Sequence, residues 1–289
     1  QGERTRLIGR VGGYHGVGFG GISVGGMVNN RKTFGALLPG VDHLPGVYDK
    51  TMHNTRGQTE GGVHYADALE DIISLHDAST IAAVIVEPAQ GSAGVFVPPK
   101  GYLERLREIT SKHGILLIFD EVITGFGRLG FATAAERFGV VPDMITTAKA
   151  LNNGTVPMGA VAVHHNIYDT FMANSGAGVE FFHGYTYSAH PLAVAAAIAT
   201  QELYSELGVY ENVQALEAYF EDAIHSLAVA DTIVDARNIG FMAALTFDRI
   251  DDKPASRSSK IFQKSFENGL KVRLSTDSIA IAPPLVSSK

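Results

Sequence analysis

Three short apolar runs organise the first half of the chain, and each leads into an ionisable residue. Ala82-Ala83-Val84-Ile85-Val86 runs into Glu87-Pro88, and Ile115-Leu116-Leu117-Ile118-Phe119 runs into Asp120-Glu121. Met144-Ile145-Thr146-Thr147 is followed, one residue on, by Lys149. The first two runs do not alternate and are rich in β-branched residues, the pattern of strands buried on both faces of a parallel sheet. Between them Leu103, Leu106 and Thr110 recur at helical spacing while Glu104, Arg105 and Glu108 are polar. This predicts a helix over 102–113, closed by Gly114. Strand, helix and strand within about 35 residues make a βαβ unit and hence a parallel sheet. Ligands of such sheets bind beyond the carboxyl ends of the strands, so Glu87, Asp120 and Lys149 are expected to converge at one edge. The run 159–163 reads as a further strand.

After His190-Pro191 the pattern changes. Long helices are predicted over 192–206 and 210–227, then a strand over 241–247, a helix over 258–269, and short strands around Val272 and 279–282. The expected organisation is an α/β large domain at 1–207 with a smaller C-terminal α+β domain at 208–289.

Composition narrows the function classes. The chain has 289 residues, 45% hydrophobic and 18% charged, enough for a large and a smaller domain. No apolar run approaches the roughly 18–20 residues of a membrane span, so no membrane partner is expected. The alanine-heavy stretch 191–200 reads instead as a buried helix. The net charge of −7, with acids and bases interspersed, offers no nucleic-acid surface. Without cysteine there are no disulfides, thiolate metal sites or thiol nucleophiles. No secretory signal opens the chain, and a cytoplasmic location is expected.

Glycines crowd the beginning, at Gly12–Gly13, Gly16, Gly18, Gly20–Gly21 and Gly25–Gly26. Residues 16–21 satisfy G-x-G-x-x-G, a dinucleotide-binding pattern. No strong strand pattern precedes it, no helical pattern follows, and no Asp or Glu lies between Gly21 and Val41. A dehydrogenase is therefore not the expected reading.

A strand-end lysine near two acids has a definite chemical use. A partly desolvated amine has a lowered pKa and attacks a carbonyl to form an imine. The plainer alternatives are a solvated lysine at a loop start and, for Asp120, a loop carboxylate or N-cap.

The surrounding motifs decide between these. Asp120-Glu121-Val122-Ile123-Thr124-Gly125-Phe126-Gly127-Arg128 closely resembles the signature of the class III, or ω-, aminotransferases, and Lys149 follows Asp120 by 29 residues as in that family. Gly13-Tyr14-His15-Gly16-Val17-Gly18-Phe19-Gly20-Gly21 resembles the family's segment over the cofactor ring. Val86-Glu87-Pro88-Ala89-Gln90-Gly91 is similar to its glutamate–proline strand end, and 183–191 to its phosphate loop. Val272-Arg273, followed by Ile281-Ala282-Pro283-Pro284-Leu285, resembles its carboxylate-binding arginine and terminal strand. Within the family the resemblance is closest to the ω-amino acid–pyruvate (β-alanine–pyruvate) aminotransferases.

The resemblance implies a fold type I enzyme dependent on pyridoxal 5'-phosphate (PLP), with a mostly parallel large-domain sheet and an ω-amine-to-pyruvate transamination. Lys149 would carry the cofactor as a Schiff base and shuttle protons, and Asp120 would pair with the pyridine nitrogen. Tyr14 and Val122 would pack the two ring faces, with Tyr14 also bordering the substrate. His15, Glu87 and Gln90 would contribute to the cofactor site, and Thr186 would bind phosphate across a homodimer or dimer-of-dimers interface. Arg273 would hold the keto-acid carboxylate as a bidentate fork. Aminomutases, racemases and a decarboxylase share the Asp120-like and Lys149-like residues, and a non-catalytic binding relative is a further alternative. The chain departs from the family at Ala150, where glycine is usual. The resemblance also implies a family N-terminal segment ahead of Gln1, with a phosphate cradle, and a C-terminal helix after Pro284.

Overall fold

A computed structural model of the chain describes residues 4–173 and 178–289. Among them, one sheet is formed by β1 (Arg6–Arg10), β2 (Val41–Leu44), β3 (Ile81–Val86), β4 (Leu116–Asp120), β5 (Met144–Thr147) and β6 (Ala160–Val163). Its order is β2-β1-β3-β4-β5-β6. All neighbours run parallel except β5 and β6. The parallel crossovers carry α1 (Phe19–Val24) and α2 (Val28–Thr33), α3 (Val63–His76), α4 (Tyr102–His113) and α5 (Ala134–Phe138). Further helices are α6 (His165–Ala173), α7 (Pro191–Glu206) and α8 (Val209–Ser226). The chain then builds β7 (Ile233–Ile239), β8 (Met242–Phe247), α9 (Ser256–Glu267), β9 (Arg273–Ser275) and β10 (Ser278–Ile281). These last strands form a separate antiparallel sheet in the order β7-β8-β10-β9.

The helix at 102–113 forms where its periodicity places it and ends on Gly114 in the left-handed conformation, which a residue without Cβ adopts freely. Its Leu103, Leu106 and Ile109 pack with Leu69 and Ile73 of α3 over Ile8, Val84, Leu117 and Phe119 of the sheet. Each such side chain stabilises the fold by about 1.5–3 kcal/mol through the water it sheds.

The expectation of strands buried on both faces needs correction. One face lies under α3 and α4, but Ile85 and Ile118 on the other are only half-buried, and β6 is exposed throughout. The predicted strand at 159–163 is present, yet antiparallel. The twelve residues from Ala148 to Gly159 hold only a short 3-10 turn, whereas a parallel return usually needs a crossover helix. The grounds for setting aside the dinucleotide pattern also change. A strand, β1, does precede the glycine-rich stretch, and a helix, α1, begins within it. What keeps it from the dinucleotide geometry is that β1 ends six residues before Gly16 and α1 is a helix of only six residues.

Candidate active site

Strand register brings the expected residues to one edge. Val86 pairs with Phe119, and Asp120, the last residue of β4, pairs with Thr146 of β5. Glu87 and Asp120 therefore emerge side by side, and Lys149 begins a tight turn just past β5.

Asp120 is 7% exposed and both of its oxygens are engaged. One contacts His15 Nδ1 at 2.8 Å, and the other accepts the Val122 backbone N–H at 3.1 Å. Its neighbour Glu121 turns the other way. There it accepts N–H groups of Ala134 and Ala135 at 2.5 and 2.9 Å, a carboxylate at the start of α5 where the helix dipole favours it. Two adjacent acids thus have separate work: one faces the site, the other anchors the loop that follows it.

The Glu87 carboxylate is occupied by backbone. It accepts Tyr14 N–H at 2.9 Å and Gly91 N–H at 3.0 Å. Burial pushes its pKa up, and the Tyr14 N–H opposes that. Glu87 therefore braces its own strand turn and, through Tyr14, orders the segment that carries His15 to Asp120. Arg10, 1% exposed, donates to the Glu87 carbonyl at 2.6 Å. Gln90 uses its amide on the Val11 carbonyl at 3.0 Å, holding the same glycine-rich segment. That segment folds back so closely that a Cβ on Gly21 would lie 2.2 Å from the His15 carbonyl oxygen, and one on Gly26 2.2 Å from that of Arg10. Only glycine fits such backbone-to-backbone contact.

Lys149 takes a left-handed backbone conformation, φ 46°. Burial lowers the pKa of its amine, the charges of Asp120 and Glu87 raise it, and Arg273 lowers it further. These four groups therefore share one electrostatic neighbourhood. Arg273 is exposed on β9, and its small sheet is tied to the loop that follows β3. Ser275 donates to the Ser92 carbonyl at 3.1 Å, and Arg237 on β7 donates to the carbonyls of Gly94 and Val95 at 2.9 and 3.1 Å. Arg237 is paired with Asp235 inside the protein and stacks over the Phe96 ring at 4.7 Å.

Tyr14, next to His15, and Val122, two residues past Asp120, are half-buried. Thr186 lies exposed in a turn, and among the described residues no hydrogen bond links it to the cluster. The structure thus brings together Lys149, Asp120, His15, Tyr14, Val122, Glu87, Gln90 and Arg273. Sequence reasoning overlooked Arg10, whose isolated charge at the end of an inconspicuous strand carries no local signal. It also overlooked Gln201 and Tyr204 of α7, which reach the Lys149 turn.

The side chains fit a pyridine-aldehyde cofactor such as PLP. A burial-weakened lysine base suits a carbonyl carbon, a fixed carboxylate suits a ring N–H, and Tyr14 offers a ring. Among the described residues His15 Nε2 is buried with no hydrogen-bond partner, a polar atom left over beside Asp120. The phosphate end finds only Thr186 among the predicted residues.

Fold and site together define an α/β chain with a weakened lysine base and a buried carboxylate at the carboxyl ends of parallel strands, the arrangement that amine–carbonyl chemistry requires. The chain belongs to the class-III aminotransferase family, whose model matches residues 1–289. It is 56% identical over 290 residues to an omega-aminotransferase of Caulobacter vibrioides, covering 100% of this chain and 66% of that protein. It is 49% identical over 286 residues to a beta-alanine–pyruvate aminotransferase of Pseudomonas aeruginosa, covering 98% and 64%. Among solved structures, an omega-aminotransferase from Paracoccus denitrificans superposes with a TM-score of 0.91 at 33% identity, covering 99% of this chain and 65% of that one. An amine transaminase from an uncultivated Pseudomonas species, in its PLP-bound form, gives 0.89 at 35% identity, covering 99% and 66%. The chain therefore spans about two thirds of the length of the relatives it matches.

Proposed function

We propose that the protein is a PLP-dependent aminotransferase that moves an amino group from an ω-amino acid or amine to pyruvate. The observation that carries this reading is the Lys149 amine, its pKa lowered by burial, in the same neighbourhood as the doubly held Asp120 carboxylate. When bound, PLP supplies an electron-withdrawing ring that stabilises negative charge on the substrate carbon. Lys149 would hold the cofactor through Nζ and, when that nitrogen is free, would move a proton on it to and from the substrate. Asp120 would hold a proton on the ring nitrogen, and His15 and the Val122 N–H would keep that carboxylate from rotating away. Such an electrostatic partner, fixed before reaction, needs no reorganisation as charge develops. Tyr14, its backbone bound by Glu87, would cover one ring face and border the substrate, and Val122 would cover the other. Arg273 would bind the keto-acid carboxylate through a two-pronged contact.

Thr186 would contact phosphate across a two-fold interface, making a homodimer or dimer of dimers the working unit. The division into a large domain at 1–207 and a small one at 208–289 would place Arg273 on the smaller part. We place the enzyme in the cytoplasm. The activities for which the relatives are named support transamination to pyruvate over aminomutase, racemase or decarboxylase chemistry and over a non-catalytic binding role.

The test is direct. Protein incubated with PLP should turn yellow, and borohydride should fix the cofactor on a peptide containing Lys149. β-Alanine, putrescine and γ-aminobutyrate, the donors in relatives' names, should then be screened with pyruvate for alanine formation. A label on another lysine, or no alanine from any amine donor, would overturn the reading.

A further inference from the structure

Lys149 is not a residue that adopts φ 46° without cause. A side chain with a Cβ is strained there, and such a conformation persists only where the surroundings over-determine it. The turn that holds it is built from within and from outside. From within, Lys149 O accepts Gly154 N–H at 3.0 Å, Leu151 N–H bonds Ala148 O at 2.9 Å, and the buried Asn152 side chain bonds Val156 O at 2.6 Å and Gly154 N–H at 3.2 Å. From outside, the next two carbonyls are taken by one helix. Tyr204 donates its hydroxyl to Ala150 O at 2.9 Å, and Gln201 donates its amide to Leu151 O at 2.9 Å.

Residues 201 and 204 lie three apart, on adjoining positions of one face of α7. That helix otherwise presents Ala193, Ala197 and Thr200 to the interior. Its small residues let it approach the turn, and its two long polar side chains then grip the carbonyls that a single helical turn leaves without intrahelical partners. The residue after Lys149 is alanine, so the chain cannot relieve a displaced turn with a glycine. Holding this turn therefore holds Lys149 in its left-handed conformation, in the neighbourhood of Asp120 and Glu87, the acids whose charges it feels.

We infer that Tyr204 and Gln201 are positioning residues: they clamp the two peptide groups after Lys149 and thereby hold its amine in the buried, charge-coupled position. The inference rests on the proposed role of Lys149, but its test does not need turnover.

In cofactor-free protein, the acetylation rate of Lys149 as a function of pH, followed by peptide mass spectrometry, reports the titration of that amine. The charged groups bearing on it are Asp120, Glu87 and Arg273. Tyr204→Phe removes one oxygen and keeps the ring, Gln201→Leu keeps the length, and Glu202→Ala on an exposed part of the same helix is the control. The double variant should raise the Lys149 midpoint by about half a pH unit or more toward that of a solvated lysine, and weaken PLP binding about tenfold. The control should change neither. A merely structural role for the two residues would lower the melting temperature and leave the Lys149 midpoint in place, and that result overturns the inference. Should the double variant not fold, Tyr204→Phe alone must still move the midpoint in the same direction. If PLP fails to bind the unaltered protein, the functional reading falls, while the midpoint comparison still decides whether the clamp exists.

Discussion

Asp120 and Thr186 stand at opposite extremes of the same chain. Asp120 is 7% exposed, with each carboxylate oxygen bonded, and its partner His15 is held by a glycine-rich fold-back and the Glu87 brace. Around Thr186, residues 179–192 are exposed without a break, and Phe182 and Tyr187 are each 83% exposed. The first region contains its own reasons for its geometry: strand register, buried hydrogen bonds and close backbone packing. The second carries aromatic surface that no described residue covers, which is how interaction faces look. The difference separates what the described residues organise among themselves from what, on the proposed two-fold assembly, waits for a partner.

The largest expected effect is at the self-sufficient corner. Asp120→Asn keeps an oxygen for the Val122 N–H and nearly the same shape, so the protein should fold and retain PLP. It cannot supply the charge that holds a proton on the ring nitrogen. Turnover with pyruvate should fall by about 10²-fold or more, the size expected for losing a pre-organised electrostatic partner. Near-normal turnover by a folded, PLP-loaded variant would break the assignment.

A smaller effect is expected one strand away. Glu87→Gln leaves an NH₂ facing either the Tyr14 or the Gly91 N–H, costing about 1–3 kcal/mol for the buried group left unsatisfied. The pH dependence has a definite sign. Burial raises the Glu87 pKa in the folded protein, so the folded state binds the proton more readily than the unfolded chain. Glu87 therefore adds stability as pH falls from neutral through its folded pKa toward the unfolded value. The stability gap between wild type and Glu87→Gln in urea should be wider at pH 5 than at pH 7. A gap that narrows in acid would show that the ionised carboxylate, not the buried brace, dominates.

The same contrast governs how much could be read without coordinates. Glu87, Asp120 and Lys149 were legible because each follows an uninterrupted apolar run, and strand ends in a parallel sheet collect on one side. Helices α4 and α8 declare themselves by length and period, and α7 by its long alanine-rich run. The strands β1 and β2 did not, because Arg-Leu-Ile-Gly-Arg and Val-Asp-His-Leu hold too few apolar residues to stand out. β7 hides for a different reason: Asp235 and Arg237 read as surface charges, yet both are buried because they neutralise each other and the Gly94 and Val95 carbonyls complete the guanidinium. α3 carries Ala66, Leu69 and Ile73 at helical spacing, a signal that was available and passed over. The grip of Tyr204 and Gln201 on the Lys149 turn joins residues fifty or more positions apart, and no local pattern announces such a contact.

The smallest effect on the chain itself, and the most informative about assembly, is expected at Thr186. Its side chain is exposed and, among the described residues, takes part in no buried network, so Thr186→Ala should change unfolding free energy by no more than about 0.5 kcal/mol. If its hydroxyl binds a phosphate, the same variant should lose about 1.5–3 kcal/mol of PLP affinity, roughly tenfold or more. A stability change with unaltered PLP binding would reverse the comparison between the two regions. Subunit mixing then asks whose phosphate the hydroxyl serves. Lys149→Ala lacks the amine in every copy, and a Thr186 variant lacks the hydroxyl in every copy. In a mixed dimer with shared sites, one site combines the lysine of one subunit with the threonine of the other. At PLP concentrations that leave the Thr186 variant largely unloaded, the mixture should therefore be more active than either parent, approaching one working site of two. Were Thr186 to serve the site of its own chain, each site in the mixture would still lack one group, and mixing would restore nothing.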